Sequence, residues 1–159
     1  MKRINHIIGG EEVVSSSGRT SQVHNPATGE TTANVGLATI EEVDFAVGTA
    51  KAAAAEWSAT SLAKRTRVMY AFRDLVDEHK GDIAALLTAE HGKVRSDSLG
   101  EVQRGIENIE YACGRAEHLK GSFAQEVSTN IDVYSVRQPL GVVAGITPFN
   151  FPAMVPMWM

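Results

Sequence analysis

The chain has 159 residues, 43% of them hydrophobic and 21% charged, with a net charge of −4, which suits one ordinary globular domain. No face collects Lys and Arg at high density, so nucleic acid and anionic membrane are not expected partners. No apolar run approaches the roughly 20 residues that span a bilayer, and a single cysteine, Cys113, rules out an internal disulfide.

One free thiol fits a reducing cytosol. The start, MKRINHIIGGEEVV, lacks both a long apolar core and a small-residue cleavage site, so no signal peptide is read. A cytoplasmic location is expected. Residues 4–8 read as a short strand, and the glycine pair at 9–10 permits a tight turn. GRTSQVHNP reads as extended. In NPATGE (25–30), Pro26 fixes its φ and Gly29 can take positive φ, which predicts a turn. TTANVGLA then reads as a further extended piece.

Thr39 followed by Glu42 is a capping box. Val43, Ala46, Val47, Ala50 and Ala54 continue a helix from there to about Trp57. Ser61 caps a second helix, whose apolar stripe is Leu62, Val68, Met69, Phe72, Leu75 and Val76. GDIAALLTAEHG reads as a short third helix, with Asp82 suiting its dipole and Gly92 its end. A fourth is predicted from about residues 96–98 to Leu119, with Leu99, Val102, Ile106, Ile109, Cys113 and Ala116 on one buried stripe. Cys113 in that stripe reads as a small core residue.

Beyond Gly121 the pattern alternates. Val127, Ile131, Val133 and Val136, with a turn at STN, predict a β-ribbon that needs a partner, such as another subunit. LGVVAGI (140–146) is continuously apolar and β-branched, which predicts a strand buried on both faces. Pro152 suits the first turn of the helix that follows, and Pro156 is expected to bend it.

A buried strand leading through a turn into a helix is half of a parallel α/β unit, and ligands bind beyond the carboxyl ends of such strands. Thr147 to Asn150 occupy that position. Between Pro148 and Pro152, Asn150 has few backbone alternatives, and its carboxamide suits donation to an oxygen that gains charge during reaction. The same residue suits a turn or a helix cap, and spacing alone favours that reading. Arg104 lies almost opposite the buried stripe, with Asn108, Tyr111 and Arg115 on its face. On spacing alone it is a solvated arginine.

GITPFNFPAMVPMWM resembles the asparagine motif of the aldehyde dehydrogenase superfamily, and the resemblance extends over nearly the whole chain. GRTSQVHNPATGE resembles the family's N-terminal hairpin. EEVDFAVGTAKAAAAEWS, RTRVMYAFRDLVDEH and LTAEHGK resemble its first helices in order. GEVQRGIENIEYACG and VYSVRQPLGVVAGITPFNFP resemble one subfamily, the CoA-acylating methylmalonate-semialdehyde dehydrogenases.

The resemblance implies an α/β fold: residues 1–121 as the N-terminal part of an NAD-binding domain, 122–139 as an oligomerisation ribbon, and 140–159 as that domain's first buried strand and the start of the next helix. In the family a cysteine thiolate attacks the aldehyde, hydride passes to NAD, and a thioester remains. The subfamily releases the acyl group to coenzyme A with loss of carbon dioxide. By resemblance, Asn150 is the side-chain donor to the oxyanion, and Thr147 and Phe149 line the cofactor site. Phe151 and Trp158 line the aldehyde tunnel, although both also suit a hydrophobic core. Arg104 is the clamp for the substrate carboxylate. No metal is implied, and a homotetramer is expected at full length.

Members are much longer than 159 residues. The nucleophilic cysteine, the glycine-rich cofactor loop, the general base and a second arginine would fall outside this chain. It is therefore expected to be an N-terminal piece with an incomplete sheet, inactive by itself. A hydrolytic semialdehyde dehydrogenase, or a non-catalytic chain pairing through 122–139, remain as alternatives.

Overall fold

A computed structural model describes all residues, 1–159. The chain opens with three short strands, β1 (Lys2–Ile4), β2 (His6–Ile8) and β3 (Glu11–Val13). Gly9 and Gly10 both take positive φ, 64° and 87°, a conformation glycine adopts without steric cost. They close the antiparallel β2–β3 hairpin. The extended run expected over 4–8 is divided at Asn5. β1 pairs in parallel with β5 (Thr31–Gly36), which also pairs antiparallel with β4 (Thr20–His24). Between β4 and β5, Gly29 has φ 76° and the Asn25 side chain accepts from the Ala27 N–H at 2.9 Å. The predicted turn is therefore present, with an Asx bond added.

Helix α1 (Ile40–Ala59) carries the expected capping box: Thr39 accepts from the Glu42 N–H, and Glu42 accepts from the Thr39 N–H. Its apolar stripe stays uncovered, since no residue of α1 is buried. Helices α2 (Leu62–Glu78), α3 (Lys80–His91) and α4 (Arg95–Cys113) follow. Gly92, with φ 85°, ends α3 as expected. The core lies among these three. Val76, Ala84, Leu87, Val102, Ile106, Ile109 and Cys113 are its buried members. Half of the expected α2 stripe, Val68, Phe72 and Leu75, is exposed, and only Val76 is buried.

The fourth helix is shorter than expected. It stops at Cys113, Gly114 bonds back to the Tyr111 carbonyl, and a separate turn, α5 (Arg115–His118), follows. A glycine in mid-helix is weakly helical, and Leu99 and Ala116 lie outside the buried set. β6 (Phe123–Ser128) and β7 (Ile131–Tyr134) form the predicted ribbon, with Asn130 at φ 60° in its turn. The ribbon is exposed along its whole length.

The predicted strand at 140–146 is absent. The segment is irregular and exposed, with Leu140 and Ile146 at 96% and 94% of full accessibility. A strand buried on both faces exists only between neighbours, and residues 1–159 supply none. Helix α6 (Met154–Trp158) ends the chain and packs on α4. Pro152 falls two residues before this helix, outside the first turn where it was expected. Pro156 falls in the first turn, where a missing donor is tolerated. No helix is long and apolar enough to cross a membrane.

Candidate active site

Helix α4 and the turn at 149–153 form the candidate site. α4 is held by its stripe against α2 and α3, and that packing sets which side chains point away from the core. Arg104 is one of these. It is exposed, as its spacing predicts, but it is not simply solvated. Its Cζ stands 5.8 Å from the centroid of the Phe151 ring. From the other element, Lys93 Nζ stands 5.0 Å from the same ring. Each cation–π contact of this kind is worth about 0.5–1 kcal/mol at an exposed site.

The two cations differ in what neutralises them. Lys93, in the link between α3 and α4, is ion-paired to Glu101 at 2.5 Å. Arg104 has no carboxylate partner in the chain. A guanidinium held against a ring, with its hydrogen-bonding edge unpaired, suits a carboxylate that approaches from solvent.

Asn150 lies in the turn itself. Its backbone carbonyl accepts from Lys93 Nζ at 3.1 Å, and its carboxamide makes no hydrogen bond within the chain. Of the turn and cap readings offered by spacing, the turn is present and the cap is not. Helix α6 has no cap from its own Ncap side chain. Its first N–H groups are met by a carboxylate from α4: Glu101 Oε1 accepts from the Ala153 and Met154 N–H groups at 2.8 and 3.1 Å.

Arg104, Phe151 and the backbone of Asn150 are thus brought together. Thr147 is exposed and irregular. Phe149 is 88% exposed and turns towards α3, where it lines a cleft of about 580 Å³ with Leu86, Glu90 and His91. Trp158 ends α6, 55% exposed, with no aromatic pairing to Phe151.

The residues present do not make a dinucleotide site. Thr147 and Phe149 sit on an unpaired segment. Nowhere in residues 1–159 does a glycine-rich turn lead from a strand into a helix to hold a pyrophosphate. Cys113 is buried in the core between the helices. Burial pushes its thiol up, away from the reactive thiolate.

Glu101 and Lys93 were not singled out from the sequence. Glu101 is fully buried. Burial pushes its carboxyl up, but the Lys93 ammonium and the two backbone N–H groups outweigh that and hold it below the usual range. The available signal was spacing: Ser98, Glu101, Gly105 and Ile109 are all buried at helical intervals. A carboxylate in such a stripe needs partners.

The aldehyde dehydrogenase family model matches residues 13–159. A malonate-semialdehyde dehydrogenase from Pseudomonas aeruginosa is 48% identical over 159 residues, all of this chain and 32% of that protein. Among solved structures, a methylmalonate-semialdehyde dehydrogenase from Oceanimonas doudoroffii superposes with a TM-score of 0.95 at 48% identity, covering 100% of this chain and 32% of the other. A Sinorhizobium meliloti protein described as a methylmalonate-semialdehyde dehydrogenase, solved in complex with NAD, gives 0.95 at 43% identity with the same coverage. The chain therefore spans about a third of the length of the curated relatives it matches.

Proposed function

Because the chain belongs to the aldehyde dehydrogenase family, we propose that the complete protein oxidises malonate semialdehyde or its methyl homologue. In this reading NAD accepts the hydride and coenzyme A accepts the acyl group. Carbon dioxide leaves, and the products are acetyl-CoA or propionyl-CoA. The printed activities of the relatives support the substrate class, and one neighbour's complex with NAD supports the cofactor. Thr147 and Phe149 are assigned to the cofactor side, and Trp158 with Phe151 to the aldehyde side. The nucleophile and the phosphate-binding loop are assigned to sequence outside residues 1–159. We assign 1–121 and 140–159 to the NAD-binding domain and 122–139 to assembly of a tetramer.

The carrying observation is the uncompensated guanidinium of Arg104 against the Phe151 ring, beside the turn that bears Asn150. A carboxylate bound there would place a short semialdehyde's other end near the turn, where the Asn150 carboxamide is free to donate to the aldehyde oxygen as it gains charge. An aldehyde without a carboxylate has no use for Arg104.

The test is Arg104→Leu in the complete protein. Loss of charge-assisted hydrogen bonds worth about 1.5–3 kcal/mol predicts a roughly ten- to a hundredfold lower kcat/KM for malonate semialdehyde. Propanal should be oxidised about as well as before. Equal losses on both aldehydes would mean that Arg104 supports the fold and does not read the substrate.

A further inference from the structure

The Lys93–Glu101 pair does more than bury two charges. Its four contacts all fall on one five-residue segment. Lys93 Nζ donates to the Asn150 carbonyl at 3.1 Å and lies 5.0 Å from the Phe151 ring. Glu101 accepts from the Ala153 and Met154 N–H groups at 2.8 and 3.1 Å. Every one of these contacts holds backbone or ring, and none takes up the Asn150 carboxamide. The turn is thereby fixed while its one polar side chain is left free. On the other side, Glu101 lies one helical turn before Arg104 on α4. The same short stretch of helix therefore carries both the unpaired guanidinium and the carboxylate that anchors the turn.

Stability alone does not call for this arrangement. A buried ion pair is often replaced by apolar side chains of like volume at no loss of stability, whereas removing one partner leaves a costly uncompensated charge. What the pair does supply is geometry. It offers fixed donors and acceptors at defined points, between two elements otherwise joined by apolar packing such as that of Met157 on Gly105.

We propose that Glu101, paired with Lys93, is a positioning residue that sets where the Asn150 carboxamide stands relative to Arg104. The proposal rests on the dehydrogenase reading above and names how that site is held. Glu101 touches no substrate in this account. It acts through the turn, and so its effect must vanish when Asn150 has nothing to position.

A double-mutant cycle in the complete protein tests it, with kcat measured as NADH formation per titrated active site and Tm recorded for each variant. Glu101→Gln should lower kcat about tenfold or more while leaving the KM for NAD within about twofold, because an amide keeps the shape but frees Lys93. Added to Asn150→Ala, the same change should cost less than about twofold further. Lys93→Arg, which keeps charge and donors, should retain at least about half of kcat. A tenfold loss repeated in the Asn150→Ala background would show a general structural role and overturn the proposal, as would a single-variant loss under twofold. If Glu101→Gln does not fold, Lys93→Met enters the same cycle with the same expectations. The cycle also runs on propanal, whose oxidation needs Asn150 but not Arg104. A wild-type protein active on propanal and inactive on malonate semialdehyde therefore sinks the semialdehyde reading alone. Activity on neither aldehyde overturns both.

Discussion

Asn150 offers a carboxamide that no group of this chain uses, so it does not cap α6 and is left free for the oxyanion role proposed above. If it donates to the developing oxyanion, Asn150→Ala should cost about 2.7–4 kcal/mol, roughly a hundredfold or more in rate. NAD affinity should be spared. Single-turnover NADH formation checks this, and an unchanged rate would return Asn150 to the role of a turn residue. A second residue-scale prediction concerns Glu42. Its carboxylate accepts from the Ser16 and Thr39 N–H groups and from the Ser15 and Ser16 hydroxyls. The backbone bonds from Ser16 and then Thr39 are the main cause that lowers its pKa from 4.5 to about 2. The folded value lies below the unfolded one. Glu42 therefore adds stability that is fully present above the unfolded value and is lost as pH falls from about 4.5 towards 2. In Glu42→Gln, stability should depend less steeply on pH across that window. Chemical denaturation at several pH values measures it, and an identical slope in the variant would contradict the assignment. Arg104 and Asn150 were singled out by the family resemblance, since spacing alone read one as solvated and the other as a turn residue or cap. Lys93 and Glu101 were not, since the segment 150–154 that gives them a shared task reaches them only when α6 packs on α4.

Elements that rest on local chemistry could be read directly. The capping box at Thr39 and Glu42, the Gly92 stop and the turn at Asn130 are all present, because each is decided by residues within a few positions of one another. Elements that need distant partners could not. The 140–146 segment has a strand's composition, but a strand is a pairing, and its neighbours are not among these residues. Helix α1 forms for its own local reasons and yet buries nothing. The ribbon shows the same division. Its pairing is internal and forms, while its faces stay open. Its base is closed by Gly121, where an added Cβ would lie 1.8 Å from the Ser135 carbonyl oxygen. That neighbour is backbone and has no rotamer to yield. Gly121→Ala is therefore expected to destabilise by about 1–3 kcal/mol, the usual cost of overpacking. Thermal unfolding reads the effect, and an unaltered Tm would show that the ribbon base has room to shift.

At the scale of the whole molecule, the chain is one packed helical cluster with unpartnered apolar surface around it, including Phe45, Leu140, Val143 and Ile146. The segments that remain open are α1, the ribbon and the unpaired stretch before the candidate site. The chain spans about a third of its relatives' length. The division of labour proposed above follows. In that proposal Arg104 would hold the substrate's carboxylate and Asn150 would polarise its aldehyde, while the transfer would fall to other sequence. The most direct measurement is a product analysis of the complete protein given malonate semialdehyde and NAD, with and without coenzyme A. NADH matched by acetyl-CoA and carbon dioxide is expected, with turnover dependent on coenzyme A. NADH matched by malonate at the same rate without coenzyme A would contradict it and establish the hydrolytic alternative.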